Sequence, residues 1–514
     1  MTVMRHKRKL WHRPIFYGLL LFPSLLIPQE IHTHKAPEKL GTVSFPISCA
    51  ARVQEAFNRG IALLHSFAYS NAETAFRAVE EQDPQCAMAH WGIAMTYFHQ
   101  LWDPPLSAST IPTGKEEVRR AQALGAGSER ERGLINALAL VYGGDARVPY
   151  SVRASRYERA VCDVATQNRG DPEAQVFCAL ALLSNASPSD KSHTKQKKAA
   201  TILERLSLRY PQHPGITHYL IHAYDNAELA PRGFLAAKRY SKIAPSAPHA
   251  LHMPSHIFTR LGRWDDSIAS NIAARNAAHQ QGDVGEELHA MDYLVYAYLQ
   301  TRRYTEAAQV LQQLRGMSKL DIGDFKVGYA ATAMPIRYTV EQKRWNDAAT
   351  TLSRAGAPPH VLAIAVWARG LGFARTVRVA EAYTEAEKLR ALEKQLRTSG
   401  QDYWAAQVSI LTSEVNAWIA QAAKEPKRAR TLMRAAADAE DSMEKLPVTP
   451  GPILPAREQL GYLLLEQHQP CVAADEFKAS LVFAPGRNGA TVGASQATEL
   501  CRQQSKVRPP SVSR

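Results

Sequence analysis

Apolar residues recur along most of this chain at steps of three and four with polar positions between them, and alternating runs of strand type are scarce. That period predicts amphipathic α-helices, each burying one stripe on its neighbours. Around 377–397 and 404–440 the chain is rich in alanine with little β-branched alternation, which predicts helices of strong intrinsic propensity. Three stretches interrupt the pattern: Pro104-Pro105 through Gly114, residues 184–198, and residues 446–455 with their four prolines. These predict long loops, or a break between helical segments.

A longer period overlies the helical one. His218-x3-His222 and His252-x3-His256 stand 34 residues apart, member for member, as do Pro211 and Pro245, Pro214 and Pro248, and Tyr224 and Phe258. Gly60, Ala72, Phe76 and Pro84 follow offsets of 12, 4 and 8, and Gly461, Ala473, Phe477 and Pro485 repeat them. Gly262-Arg-Trp264, Arg303-Tyr304 and Arg344-Trp345 add turns in which an aromatic opens a helix. Small residues let paired helices approach, the aromatic fills the gap, and proline stops the second helix. In these features the chain resembles the tetratricopeptide (TPR) repeat family, of an exported bacterial type. The resemblance is strong over 50–100, 155–315 and 455–486, and weak between 355 and 445.

It implies an all-α fold, an α-solenoid of TPR-like helix-turn-helix repeats in one array or two segments, with roughly eight to ten helix pairs. The expected layout is a repeat array over 45–445 with loops near 103–115 and 184–198, a C-terminal repeat over 456–502, and a disordered tail over 503–514. It also implies binding: the concave face would hold an extended peptide, a protein partner or a small ligand.

Composition suits a soluble globular protein, with 45% hydrophobic and 21% charged residues. The net charge of +14 suggests nucleic acid until it is located. Five basic residues fall in 1–13 and four in 502–514, with no acid in either, which leaves +5 over the body. There is no basic stripe with interleaved aromatics, so no nucleic-acid partner is expected. The basic start precedes an apolar run from Ile15 to Ile27 of 13 residues, short of the ~20 a membrane span needs. Residues 1–30 therefore read as a signal peptide, or as an N-terminal membrane anchor because no clean cleavage site follows. Either places the protein outside the cytoplasm, periplasmic or tethered facing the periplasm. The six cysteines fall in sequential couples, Cys49/Cys86, Cys162/Cys178 and Cys471/Cys501. In an exported chain they form disulfides or serve as small buried packing residues.

The candidate chemistry lies in the histidines. On a helix His218 and His222 share a face, Asp225 follows one step on, and His252 and His256 repeat the arrangement. Packed helices lie ~8–10 Å apart, so the four imidazoles could share one ion. Neutral imidazoles suit Zn, Cu, Ni or Fe, and Asp225 or Met253 would complete a set; Zn or Cu is the cofactor expected if there is one. Against this, Pro254 falls between His252 and His256, where it should start or kink a helix and turn His252 away. His213 and His249 flank the cluster as reserves. His65 and His99, also 34 apart, read as surface or helix-end residues, and His279 and His289 as ordinary exposed ones. Catalytic signatures are absent: no G-x-S-x-G, no phosphate-binding G-x-x-x-x-G-K-[ST], and Tyr219 where the H-E-x-x-H glutamate would be. The sequence thus favours a non-catalytic binding protein whose groove carries His218, His222, Asp225, His252 and His256. A metal-binding protein or metal-dependent enzyme using the four histidines is the alternative.

Overall fold

The structure, a computed structural model, describes residues 37–101, 110–143 and 148–507. Residues 1–30, expected as a signal or anchor, the Pro104-Pro105 break and residues 508–514 of the expected tail lie outside the described residues. Among the described residues the compact unit Lys39–Arg514 is built of helices and the turns between them, with no strand. Eleven antiparallel helix pairs follow one another among them, from Gln54–His65 with Tyr69–Gln82 to Ala456–Glu466 with Pro470–Phe483, and Asn488–Val507 closes the array. This is the α-solenoid the sequence predicts. Residues 503–507, expected in the tail, continue that last helix. Likewise Thr110–Leu124 takes up the second half of the loop expected near 103–115.

The repeat signature acts as its chemistry requires. A Cβ built on Gly60 or Gly92 would lie 2.6 or 2.5 Å from the Phe76 ring, so both glycines exist to admit that one aromatic. Gly461 and Gly493 do the same for Phe477, at 2.7 and 2.3 Å.

A second regularity was not visible in the sequence. In seven pairs the residue two before the second helix is left-handed, with φ between +55° and +66°: Phe67, Gly262, Arg302, Lys343, Val377, Lys424 and His468. The next residue's N–H then bonds the carbonyl five positions back, as Arg263 does to Phe258 and Arg378 to Phe373, both at 2.8 Å. That bond satisfies a carbonyl at the end of the first helix and reverses the chain. Only one of the seven is glycine, so the αL preference of glycine could not reveal the turn. Where the family resemblance fades, between 355 and 445, the pairs persist as long helices, Val379–Thr398 and Asp402–Ala422 among them.

Two irregular segments close the superhelix on itself. Residues 39–50 lie across it, with the Thr42 N–H bonded to the Gln212 carbonyl at 2.9 Å and the Ser246 N–H to the Lys39 carbonyl at 3.2 Å. Residues 442–455 cross back toward the middle repeats: the Glu444 N–H bonds Pro188, and Tyr293 donates to the Thr449 carbonyl at 3.2 Å. Helix Gln54–His65 packs directly against Pro214–Tyr224. The face that carries the histidines is therefore filled rather than open.

All six cysteines are paired as sequential disulfides: Cys49–Cys86, Cys162–Cys178 and Cys471–Cys501. No helix among the described residues is long and apolar enough to cross a membrane.

Candidate functional site

Helix Pro214–Tyr224 supplies His218 and His222, capped at its start by the His213 ring, which accepts from the Ile216 N–H. The next repeat supplies His249 and His252 from Pro248–His252 and His256 from Pro254–Arg260. Pro254 splits that helix without turning His252 away, contrary to the sequence expectation. Met253 keeps helical angles (φ −53°, ψ −35°), and the flanking bonds Met253 N–H to His249 and His256 N–H to Met253 bridge the missing donor. His252 and His256 therefore stay on one face, with their Nε2 atoms 3.0 Å apart. The His218 and His222 Nε2 atoms are likewise 3.0 Å apart.

Two further histidines complete the group. The ligand atoms of His218, His222 and His249 lie within 4.8 Å of one another, and so do those of His252, His256 and His289. His289 was expected at the surface and is 2% exposed; His249 is promoted from a flanking place to a member. His279 is exposed, as read from the sequence, and pairs with Glu287 at 3.0 Å. The four predicted histidines are 0–8% exposed, and the Asp225 carboxylate is 5% exposed. They converge, but in the interior, not on an accessible groove.

Hydrogen bonds fix which ring nitrogen carries the proton. Asp225 Oδ2 lies 2.8 Å from His256 Nδ1. A carboxylate only accepts, so Nδ1 donates. His252 Nδ1 donates to Asn271 Oδ1 at 2.6 Å, and the Asn271 amide nitrogen in turn donates to the Ser267 carbonyl. His218 Nδ1 donates to the His65 carbonyl at 2.6 Å, and His249 Nδ1 to Glu286 at 3.1 Å. Four of the six imidazoles thus have Nδ1 tied outward and an Nε2 lone pair turned inward. Metal-ligating histidines are oriented in this way, by a carboxylate, carbonyl or amide on the far nitrogen.

The two pairs then differ. His222 can turn an Nε2–H toward the His218 lone pair, at the cost of leaving its buried Nδ1 without a partner. His252 and His256 have no such choice while both are neutral, since both Nδ1 positions already hold the proton. Their lone pairs face each other at 3.0 Å. A proton on His256 would relieve this, but Asp225 already carries Lys445 at 2.8 Å and Arg260 at 2.9 Å. A third cation there is disfavoured. Burial accordingly drives His256 down to about 4 despite the Asp225 hydrogen bond, and drives His218, His222, His252 and His289 well below the ordinary histidine value. All are neutral at pH 7, the form that binds metal. Two nitrogens ~2.0–2.1 Å from a tetrahedral zinc ion lie ~3.3 Å apart, a few tenths from the spacing found.

A neighbouring cluster, His65, Glu173 and His213, is also buried. The sequence placed His65 at a helix end and did not single out Glu173. Glu173 accepts from His65 Nε2 at 2.9 Å and from His213 Nε2 at 2.8 Å. Tyr219 donates to His65 Nδ1 and the Ile216 N–H to His213 Nδ1. Burial pushes the Glu173 carboxyl up, but the two histidines outweigh it and hold it at about 2. Cys49, Asp83 and Cys86 also come together, but both sulfurs are spent in a disulfide and Asp83 accepts from the Ala50 N–H.

No family model matches the chain, and no curated protein matches it. Among solved structures, yeast Tom70 is similar at 11% identity over 88% of this chain and 89% of its own, with a TM-score of 0.33. The Cut9–Hcn1 hetero-tetramer of the APC/C follows at 12% identity, over 89% of this chain and 78% of that one, with a TM-score of 0.35. The TPR domain of P58(IPK) gives 12% identity, 89% and 100% coverage, and a TM-score of 0.22. Likenesses this distant say nothing of a ligand or an activity, and the histidine geometry has to speak for itself.

Proposed function

We propose that this is a metal-binding protein whose helical superhelix encloses a two-ion histidine centre. His252, His256 and His289 hold one ion, and His218, His222 and His249 the other, each through three imidazoles. The observation that carries the reading is the pair of Nε2 lone pairs facing each other across 3.0 Å at His252 and His256, with both Nδ1 protons pinned by Asn271 and Asp225. Imidazole donors suit Zn or Cu. Three protein ligands leave a coordination position open at each ion, which is the arrangement of sites that bind or activate a further ligand. Asp225, Asn271, Glu286 and the His65 carbonyl orient the ligands, and Arg260 and Lys445 hold Asp225.

Gripping a peptide through His218, His222, Asp225, His252 and His256 would require those side chains at the surface, which their burial does not favour. Three disulfides support work in an oxidising compartment, in keeping with export through the N-terminal segment.

The test is metal analysis of tag-free protein, purified without chelator and then loaded separately with Zn or Cu. Two ions per chain are expected, with the His252→Ala/His256→Ala double variant losing one of them or both. A folded wild-type protein that holds no ion after loading would sink the proposal.

A further inference from the structure

Away from the histidine centre, a second buried site lies among the long helices where the repeat signature fades. A cavity of about 60 Å³ is walled by Tyr329, Trp367, Trp404, His360, Glu414 and Glu440. His360 is 7% exposed, and neither of its ring nitrogens has a hydrogen-bond partner. Glu414 is 1% exposed; one oxygen accepts from the Trp367 indole N–H at 2.6 Å and the other has no partner. Glu440 accepts from the Ala456 N–H through one oxygen, at 2.9 Å. Buried polar atoms are nearly always satisfied, so three orphaned atoms around one cavity ask for an occupant.

We propose that this cavity binds the ammonium group of a small primary amine, with Glu414, Glu440 and His360 accepting its three N–H bonds. An ammonium offers three donors and no acceptor, and these residues present three acceptors: a free carboxylate oxygen on Glu414, the Glu440 carboxylate, and the lone pair of neutral His360. Burial pushes the Glu414 carboxyl up to about 8; burial, then the facing Glu414, raise Glu440 well above the ordinary range; and burial lowers His360 to about 4. Both carboxyls therefore hold protons when the cavity is empty, an entering ammonium displaces these protons to solvent and takes their place, and the neutral imidazole adds no repulsion. The aromatic walls complete a setting suited to a cation.

Size narrows the ligand. One water requires roughly 10–15 Å³ of such space, so the cavity takes on the order of four heavy atoms. A second cavity of about 130 Å³ shares Tyr329, Trp404, Gln407, Glu440 and Pro452 with the first and is also lined by Arg260, Lys445 and Arg457, so a longer amine would extend into it only with a tail that carries no second cation. The three acceptors Glu414, Glu440 and His360 belong to neither histidine set, so the amine site stands or falls independently of the metal.

The experiment is calorimetric titration of the full-length protein with n-propylammonium chloride, and with n-propanol as a neutral probe of equal heavy-atom count. The amine should bind saturably in the millimolar range, and propanol at least about tenfold more weakly. Glu414→Gln and Glu440→Gln, each checked for unchanged thermal unfolding, should each weaken the amine about tenfold or more. Absence of saturable amine binding, equal binding of the two probes, or unchanged affinity in a folded variant of either glutamate would overturn the assignment.

Discussion

Two clusters of buried histidines lie side by side in this molecule and differ in whether their hydrogen bonds close. Around Glu173, every ring nitrogen of His65 and His213 has a complementary partner: donors face the carboxylate, acceptors face Tyr219 and a backbone N–H. Around Asp225, the outer nitrogens are equally well satisfied, yet satisfying them turns the lone pairs of His252 and His256 on one another. Burial alone, or histidine count alone, does not separate the two clusters. What separates them is the direction in which their hydrogen-bond partners hold the ring protons, outward from a shared centre in one case and into a shared carboxylate in the other.

Several measurements would break or sharpen that contrast. The largest effect should come from metal itself. At a thousandfold excess of free ion over Kd, each site adds about 4 kcal/mol to stability. Urea unfolding with and without metal should show this in the wild type and a loss of at least one site's share in His252→Ala/His256→Ala; equal unfolding of all four samples contradicts the account. Next, Glu173→Ala strands two buried imidazole N–H groups at about 1–3 kcal/mol each. It should destabilise the metal-free protein while leaving metal stoichiometry untouched, and loss of metal in the folded variant would erase the distinction between the clusters.

Acid should separate the central group of each cluster, His256 and Glu173, in metal-free protein, although burial also lowers His65 beside Glu173. His256 titrates at about 4 when folded and 6.5 when unfolded, so between those values the unfolded chain binds more protons. Its contribution is complete above pH 6.5 and lost as the pH falls toward 4, by up to about 1.4 kcal/mol per pH unit. Glu173, lowered from 4.5 to about 2, contributes fully above 4.5 and is lost as the pH falls toward 2. Unfolding free energies measured from pH 7 to 3 should therefore fall steeply in the upper window, and His256→Ala should flatten the slope there and leave the lower window alone. A smaller effect belongs to orientation. Asp225→Asn keeps every ligand but disturbs the group that fixes His256, and should weaken metal binding about 10–100-fold. The smallest is the control: exposed His279→Ala should change stability by less than about 0.5 kcal/mol and metal binding not at all.

The fold was legible because its grammar is local. Gly60 with Phe76 and Gly461 with Phe477 meet within a single repeat unit, and the aromatic turns at Trp264, Tyr304 and Trp345 each open a helix. Four of the six site histidines were legible for the same reason, being repeated at the period of the array. His289 was not, because it follows His252 by 37 residues rather than 34 and so falls outside the repeat register. Lys445 reaches Asp225 across 220 residues of chain, and no periodicity announces such a contact. Nor could the filling of the concave face be foreseen. It depends on residues 39–50 and 442–455, which belong to no repeat, and they convert an expected groove into an interior.

The most direct test of the central claim is to locate the metal. Anomalous diffraction from crystals of the Zn- or Cu-loaded protein should place one peak among the Nε2 atoms of His252, His256 and His289 and a second among those of His218, His222 and His249. Peaks confined to surface residues, or none at all with the His252 and His256 rings bonded directly to each other, would contradict it.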